Sequence, residues 1–159
     1  MAFPLPFGRM LRHLLAPLAA LACLAAGLLA APAAQATESP GTAALNWAEG
    51  HATGHPFQWG GTGPYGYDCS GLVMESYLHA DGISLPHSTV AMITSSHLTR
   101  TYHPRRGDLA MFGPVGAPTH VEIVAERPDT TFGAHDTGSL VGWTGYGGTW
   151  VPTAFYRVH

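Results

Sequence analysis

The sequence predicts an α+β domain in which N-terminal helices pack on a small antiparallel β-sheet, because its helical and strand patterns occupy separate halves of the chain. Helical spacing of apolar residues comes first, at about 42–49, 69–80 and 89–97. Short β-branched or alternating segments separated by Gly and Pro come later, at 108–112, 120–125, 131–135 and 154–158, with one more irregular strand within 138–148. Helices that precede strands, rather than alternate with them, are typical of this fold class.

Polar caps and glycines mark the ends of the predicted helices. Ser39 precedes the first helix and Ser88 the third, and both side chains are suited to accept hydrogen bonds from the first helical N–H groups. Asp81-Gly82 ends the second helix. The segment 51–67 holds so many Gly and Pro residues that we predict an irregular loop there.

The first 36 residues have the pattern of a secretory signal peptide. Arg9 and Arg12 form a basic start, an apolar run covers 14–31, and Ala34-Gln35-Ala36 has the small residues of a cleavage site. We therefore predict a signal peptide over 1–36 and one folded domain over 37–159. Two alternatives stay open: a retained membrane anchor, since the apolar run approaches a spanning length, and lipidation at Cys23.

The charge balance excludes several kinds of partner. The signal segment holds two of the seven Lys+Arg residues and none of the ten Asp+Glu residues, so 37–159 has five basic and ten acidic residues and a formal net charge of −5. An acidic domain is not built to bind nucleic acid or anionic membranes. We expect a secreted or extracytoplasmic monomer, in the cell wall or periplasm, with no stable membrane association after cleavage.

Cysteine usage draws attention to one residue. Cys23 lies in the signal segment, so the domain keeps Cys69 alone. A lone cysteine in an exported protein indicates a reactive thiol, an intermolecular bridge or a buried structural residue. Cys69 begins the second predicted helix, where unpaired N–H groups and the helix dipole favour an anion such as a thiolate. Asp68 is placed to cap this helix, and Gly71 allows a backbone or a substrate to approach.

Nine histidines follow the signal segment, and two of them stand out as candidate bases. His120 and His135 each lie on a predicted strand among apolar neighbours, and histidines on neighbouring strands can face one another. The pattern therefore favours a Cys-His-His site. The other histidines are scattered, and Gly54 separates His51 from His55, so we predict no metal site and no cofactor.

Five ordered blocks of sequence form a specific signature. They are Phe57-Gln58-Trp59-Gly60-Gly61 through Tyr67-Asp68-Cys69-Ser70-Gly71-Leu72-Val73, then Leu85-Pro86-His87-Ser88, then 106–112, then His120-Val121-Glu122-Ile123, and finally Phe155-Tyr156-Arg157-Val158. Together these blocks resemble the signature of the NlpC/P60 family of cell-wall cysteine peptidases. The resemblance covers 42–159. It implies a reduced papain-like fold with the cysteine on a helix packed against the sheet. It also implies Cys69 as the nucleophile, His120 as the base and His135 as the polar residue that orients the base.

The resemblance also implies an activity. Members of this family hydrolyse stem-peptide bonds of peptidoglycan, commonly between D-glutamate and the diamino acid, through a thioester intermediate. The resemblance also implies a set of residues that bind substrate or support the site. They are Asp68, Ser70, Gly71, Phe57, Trp59 and Glu122. An amidase or acyltransferase on the same fold stays open, because a fold does not fix the substrate. A catalytically weak module that binds wall peptides also stays open.

Three residues depart from the family pattern. Phe57 stands where the family usually has a tyrosine, His87 where it commonly has an arginine, and Glu122 where it usually has a glycine. Glu122 is two residues from His120, so both side chains should lie on one face of the strand, roughly 7 Å apart. We expect Glu122 either to bind a substrate amine or to raise the pKa of His120. The alternative is a solvated carboxylate at the sheet margin.

Overall fold

Three helices precede six strands in the computed structural model, which describes residues 38–159. The helices are α1 (Pro40–His51), α2 (Cys69–Asp81) and α3 (Thr89–Met92). The strands are β1 (Leu98–Thr101), β2 (Leu109–Phe112), β3 (His120–Val124), β4 (Thr130–Gly133), β5 (Gly142–Gly145) and β6 (Ala154–Val158). The predicted signal peptide, with Cys23 and the boundary after Ala36, lies outside the described residues. Within 38–159, no helix is both long and apolar enough to cross a bilayer.

All six strands form one antiparallel sheet in the order β1-β6-β2-β3-β4-β5. The α+β class is therefore confirmed. The register pairs Phe112 with His120 and Ala110 with Glu122 across β2 and β3. Residues that pair across an antiparallel ladder share a face of the sheet, so His120 and Glu122 project from the same face as Phe112 and Ala110.

The two faces of the sheet have different cores. Helices α1 and α2 pack on one face, where the buried cluster includes Leu45, Leu72, Tyr77, Ile123 and Phe132. On the other face a smaller cluster is covered by the segment between β5 and β6; it holds Ala110, Phe112 and Val124, with Tyr146 and Trp150 packed against them. Cys69, the first residue of α2, interacts with His120, the first residue of β3.

The predicted caps Ser39, Asp68, Ser88 and Gly82 are all present, but the third helix is shorter than predicted. Ser39 and Asp68 accept hydrogen bonds from the first turns of α1 and α2, and Gly82 closes α2 with a left-handed φ of 69°. The helix predicted over 89–97 is wrong beyond its first turn, because α3 ends at Met92. The chain after it is rich in Ser, Thr and Ile, which are weaker helix formers than Ala or Leu.

The strand predictions differ from the structure at two places. Strand β1 was not predicted; it is a polar edge strand that exists through its pairing with β6, with Leu98 opposite Val158. The strand predicted over 131–135 ends earlier, because β4 stops at Gly133. His135 therefore lies two residues beyond the strand, on the chain that leads towards β5.

Candidate active site

The start of α2 is held in place by Asp68, whose side chain accepts hydrogen bonds from several directions. Its Oδ1 accepts the backbone N–H of Gly71 at 2.6 Å, and its Oδ2 accepts the backbone N–H of Gly60 at 2.9 Å. His87 Nε2 lies 2.9 Å from Oδ1. The predicted cap is therefore present, and the Asp68 carboxylate also ties the preceding loop and His87 to the helix start.

A glycine contact brings the loop before Cys69 against α2. A Cβ atom added at Gly71 would lie 2.1 Å from the carbonyl oxygen of Gly61, so no larger residue fits there without movement of the backbone. Cys69 itself is a free cysteine and is partly exposed. The sulfur therefore lies at a helix N-terminus that is held by the Asp68 cap and by the close contact of Gly71 with Gly61.

His120 is buried at the start of β3 and interacts with Cys69 on one side and Glu122 on the other. Its Nε2 lies 3.1 Å from Glu122 Oε1. Burial alone would lower the pKa of His120, but its hydrogen bonds with Cys69 and Glu122, and the charges of these groups, raise the pKa to about 9. Because Nε2 faces Glu122, Nδ1 is the nitrogen left for Cys69.

Glu122 is fully buried, and each of its oxygens has a polar partner. Oε1 lies 3.1 Å from His120 Nε2 and 3.1 Å from His135 Nδ1, and Oε2 accepts the Thr131 hydroxyl. Burial alone would raise the pKa of Glu122, but hydrogen bonds from His120 and Thr131 and the charge of His120 hold it below its ordinary value. A buried carboxylate needs such partners to stay ionised.

Gly133 provides the space that the Glu122 side chain occupies. A Cβ atom at residue 133 would lie 2.5 Å from Glu122 Cγ and 2.8 Å from Cδ. The glutamate at a position where the family usually has glycine is thus accommodated by a glycine on the neighbouring strand. The expectation that Glu122 lies on the face of His120 and raises its pKa agrees with this geometry, whereas the solvated carboxylate is wrong.

His135 contacts the site through Glu122. The rings of His120 and His135 lie 5.6 Å apart at a steep angle, and the hydrogen bond of His135 Nδ1 goes to Glu122 Oε1. We expected His135 to orient His120 itself. In the structure the Glu122 carboxylate lies between the two imidazoles, so His135 contacts Glu122 and Glu122 contacts His120.

Trp150 covers this group from the other side. Its ring centre is 5.4 Å from that of His120 and 4.9 Å from that of His135, and it stacks on Phe112 at 4.3 Å. Sequence reasoning missed Trp150, Thr131 and Gly133. Trp150 lies in a glycine-rich segment without periodicity. The only sequence signal at this position is the large aromatic side chain itself, which is suited to cover an apolar face.

A cleft of about 320 Å³ opens beside Cys69. It is lined by Trp59, Asp68, Cys69, Ser70, His87 and Thr119, among others. Its size lies at the lower end of the range for ligand sites. The predicted supporting residues Trp59, Asp68 and Ser70 all line this cleft. Trp59 is 87% exposed, whereas Asp68 and Ser70 are buried.

Phe57 does not reach the cleft wall but packs against the core of α1 and α2. Two tyrosines, Tyr65 and Tyr67, lie close to Phe57 in the sequence. Tyr67 is buried with its hydroxyl over Gly63, and Tyr65 is 85% exposed. Neither is among the residues that line the cleft.

Comparison with known proteins identifies the same region of the chain. The family model described as "NlpC/P60 family" matches residues 54–144, more than half of the chain. The peptidoglycan endopeptidase RipA of Mycobacterium tuberculosis is 35% identical over 95 residues, which are 48% of this chain and 20% of RipA. The chain also spans 15% of the length of three mycobacterial relatives named probable endopeptidases.

Solved structures share the fold along most of the described chain. The NlpC/P60 domain of the peptidoglycan hydrolase SagA has a TM-score of 0.65 and 27% identity, and the match covers 74% of this chain and 98% of that domain. RipD of Mycobacterium tuberculosis is described as a non-catalytic NlpC/P60 domain protein adapted to peptidoglycan binding. It has a TM-score of 0.62 and 21% identity, and the match covers 77% of this chain and 99% of RipD. At that identity the likeness to RipD shows the fold alone.

Proposed function

This chain belongs to the NlpC/P60 family, and from that premise we propose that it is a secreted cysteine endopeptidase that hydrolyses a stem-peptide bond of peptidoglycan. The observation that carries the proposal is the free Cys69 at the N-terminus of α2, with which the buried, Glu122-bonded His120 interacts. The names of RipA and SagA support peptidoglycan as the substrate. We further propose the bond between D-glutamate and the diamino acid as the one cleaved.

Cys69 is the proposed nucleophile and His120 the proposed base. His120 Nδ1 takes the thiol proton, and the resulting thiolate is stabilised by the imidazolium and by the positive end of the α2 dipole. The sulfur attacks the scissile carbonyl carbon. Unpaired N–H groups at the start of α2, including that of Cys69, stabilise the oxyanion.

The second half of the reaction returns the enzyme to its starting state. The imidazolium of His120 gives its Nδ1 proton to the leaving amine as the C–N bond breaks, which leaves a thioester on Cys69. His120 then removes a proton from a water molecule, which attacks the thioester carbonyl. The carboxylic acid product leaves, and the Cys69 sulfur takes back a proton.

Glu122 and His135 are positioning residues in this scheme. The Glu122 carboxylate holds the proton of His120 on Nε2, so Nδ1 is free to accept the thiol proton, and its charge stabilises the imidazolium. His135 and Thr131 fix the carboxylate by their hydrogen bonds. The proposed site is therefore a Cys-His-Glu arrangement in which His135 supports Glu122.

Digestion of purified peptidoglycan by the wild type and by Cys69→Ala tests the activity. We expect new peptide termini, identified by mass spectrometry, only with the wild type, since loss of a catalytic nucleophile typically costs about 10⁴-fold or more. His120→Ala should be equally inactive, and the exposed His103→Ala should digest normally. New sugar or amidase-type termini would point to another bond, and equal digestion by Cys69→Ala would contradict the mechanism.

A non-catalytic module that binds wall peptides is the second candidate function. Phe57, which lacks the hydroxyl common in the family, favours it, and RipD shows that the fold occurs in a protein described as non-catalytic. Iodoacetamide at neutral pH separates the two functions. An activated Cys69 reacts faster than free cysteine and slows in His120→Ala, whereas the thiol of a binding module reacts like an ordinary one in both proteins.

Export with cleavage after Ala36 is the third part of the proposal. It rests on the basic start, the apolar run and the small residues at 34–36. Mass spectrometry of the protein recovered from the medium or periplasm should give an N-terminus at Thr37. A lipid on Cys23, or an uncleaved membrane-bound chain, would support one of the alternatives.

A further inference from the structure

We propose that His120, Glu122 and His135 form a binding site for Zn²⁺ or a similar divalent transition-metal ion, and that the bound ion switches off the base of the active site. Three potential ligand atoms converge there: His120 Nε2, Glu122 Oε1 and His135 Nδ1 all lie within 4.8 Å of one another. Metal binding itself does not depend on the proposed peptidase activity, whereas the inhibition does.

The distances suit a tetrahedral ion. With zinc–ligand bonds of about 2.0–2.2 Å, adjacent ligands of a tetrahedral site lie about 3.3 Å apart. Each imidazole nitrogen is 3.1 Å from the same carboxylate oxygen. The two imidazole nitrogens lie within 4.8 Å of each other, so binding would draw the two rings closer together around the shared carboxylate oxygen.

The set of ligands is chemically suited to zinc. Two imidazoles and one carboxylate, with a fourth position open, are a ligand set found in zinc enzymes. The Thr131 hydroxyl holds the other Glu122 oxygen, as an outer partner of a ligating carboxylate should. Trp150 packs against both imidazole rings and limits their movement.

An ion can reach the site from the His135 side. The His135 side chain is 30% exposed, compared with 10% for His120 and none for Glu122. We therefore expect His135 to take the ion first and the two buried ligands to follow. Among the described residues, the group of converging ligand atoms does not include the Cys69 sulfur.

The ion acts on the base through the tautomer of His120. In the metal-free site, Nε2 carries a hydrogen towards Glu122 and Nδ1 can accept the proton of Cys69. A metal on Nε2 displaces that hydrogen, so the neutral ring must carry its remaining proton on Nδ1. The displaced proton goes to solvent, and Nδ1 keeps its hydrogen because a neutral, metal-bound imidazole is a far weaker acid than an imidazolium. His120 can then neither accept a proton from the thiol nor give one to the leaving amine, and no redox change or other reactant is involved.

Calorimetric titration of Cys69→Ala with Zn²⁺ tests the site without the competing thiol. We expect one ion per chain, bound within about threefold of the wild-type affinity. Glu122→Gln should weaken binding by more than about 100-fold, because loss of an outer partner alone costs about 10–100-fold. If Cys69→Ala loses the tight site, the ion binds to Cys69 and His120 instead, and the proposal is wrong.

Two further variants keep the test informative if Glu122→Gln is poorly folded. His135→Ala removes the partly exposed ligand and should weaken binding as strongly, and Thr131→Val should weaken it about 10–100-fold. The control is His79→Ala, which removes an exposed histidine stacked on Trp47 and should leave the affinity unchanged. Equal binding by His135→Ala and the wild type would overturn the proposed ligand set.

Co²⁺ provides a spectroscopic readout, and digestion assays test the inhibition. A Co²⁺ complex of the wild type should show visible bands of a tetrahedral ion without a sulfur-to-cobalt charge-transfer band, and the bands should be absent in His135→Ala. Zn²⁺ should suppress wall digestion reversibly, with EDTA restoring it. A strong charge-transfer band, or digestion that rises with Zn²⁺, would contradict the inference.

Discussion

The two sides of the candidate active site are built in different ways. On the side of Cys69, neighbouring residues of the chain hold the helix start: Asp68 caps α2, and Gly61 lies against Gly71. On the side of His120, a buried charge is held by residues from separate strands, with Glu122 between two histidines. Cys69, the proposed nucleophile, is thus positioned by backbone geometry, and His120, the proposed base, by a polar network, so mutations on the two sides should have different effects.

Among variants that leave the proposed catalytic residues Cys69 and His120 unchanged, Glu122→Gln should lower the activity most. An uncharged amide stabilises the imidazolium less, and it can turn its NH₂ group towards His120 Nε2 and so fix the wrong tautomer. We expect kcat/KM for wall peptides to fall about 100-fold or more, with little change in KM. Glu126→Gln, an exposed acid nearby, is the matched control, and an equal loss in both variants would contradict a specific role.

The pH profile of the same variant reports the proton on His120. The raised pKa of about 9 means that His120 stays charged until the pH approaches 9, so the thiolate–imidazolium pair is lost only above that range. Removal of the Glu122 charge lowers the pKa of His120. The basic limb of kcat/KM, measured with EDTA present, should therefore move to lower pH in Glu122→Gln, and an unchanged limb would contradict the contact.

Gly133→Ala tests whether the space around Glu122 is essential. The added methyl group would overlap the buried glutamate side chain, and overpacking of this kind costs about 1–3 kcal/mol. We expect the free energy of unfolding in urea to fall by about 2 kcal/mol. Gly142→Ala is the control, because residue 142 pairs with residue 133 but has open space around it.

A double variant sharpens the same comparison. In a Glu122→Gly background the clash is absent, so Gly133→Ala should then cost much less than it does in the wild type. A cost that is the same in both backgrounds would show that the glycine is needed for another reason.

His135→Gln should have a smaller effect than Glu122→Gln, because His135 acts through the carboxylate. Loss of its hydrogen bond leaves Glu122 held by Thr131 and His120. We expect kcat/KM to fall about tenfold, or about 1.4 kcal/mol, and the basic limb of the pH profile to shift less than in Glu122→Gln. A loss equal to that of His120→Ala would instead assign His135 a direct role in proton transfer.

Asp68→Ala should have the smallest effect, and it should appear in stability. Loss of an N-cap typically costs about 1 kcal/mol, and we expect a fall of that order in the free energy of unfolding. Ser39→Ala, at the cap of α1, gives a comparable reference in a helix remote from the cleft. If Asp68→Ala cost no more than an exposed substitution, the carboxylate would not hold the helix start.

Helices α1 and α2, and the place of Cys69 at the start of α2, were predictable from sequence, since their signals are local. Cys69, its Asp68 cap and the Gly82 end of α2 are recognisable within a few residues. The short edge strand β1 was not predictable, because its pairing with β6 joins residues far apart in the chain. The partner of His120 was only half predicted: the spacing placed Glu122 on the same face, but not between His120 and His135.

By itself, the sequence determined the family and the α+β class and marked Cys69 and His120 as the candidate site residues, because motifs, caps and strand alternation are local properties of the chain. Only the tertiary structure decided that Glu122 is buried, that Gly133 leaves it room and that His135 and Thr131 bond to its oxygens. The physical reason is that a buried carboxylate is stable only with partners that fold around it. Here those partners come from β4 and the segment after it, and the pairing of β4 with β3 brings them to Glu122.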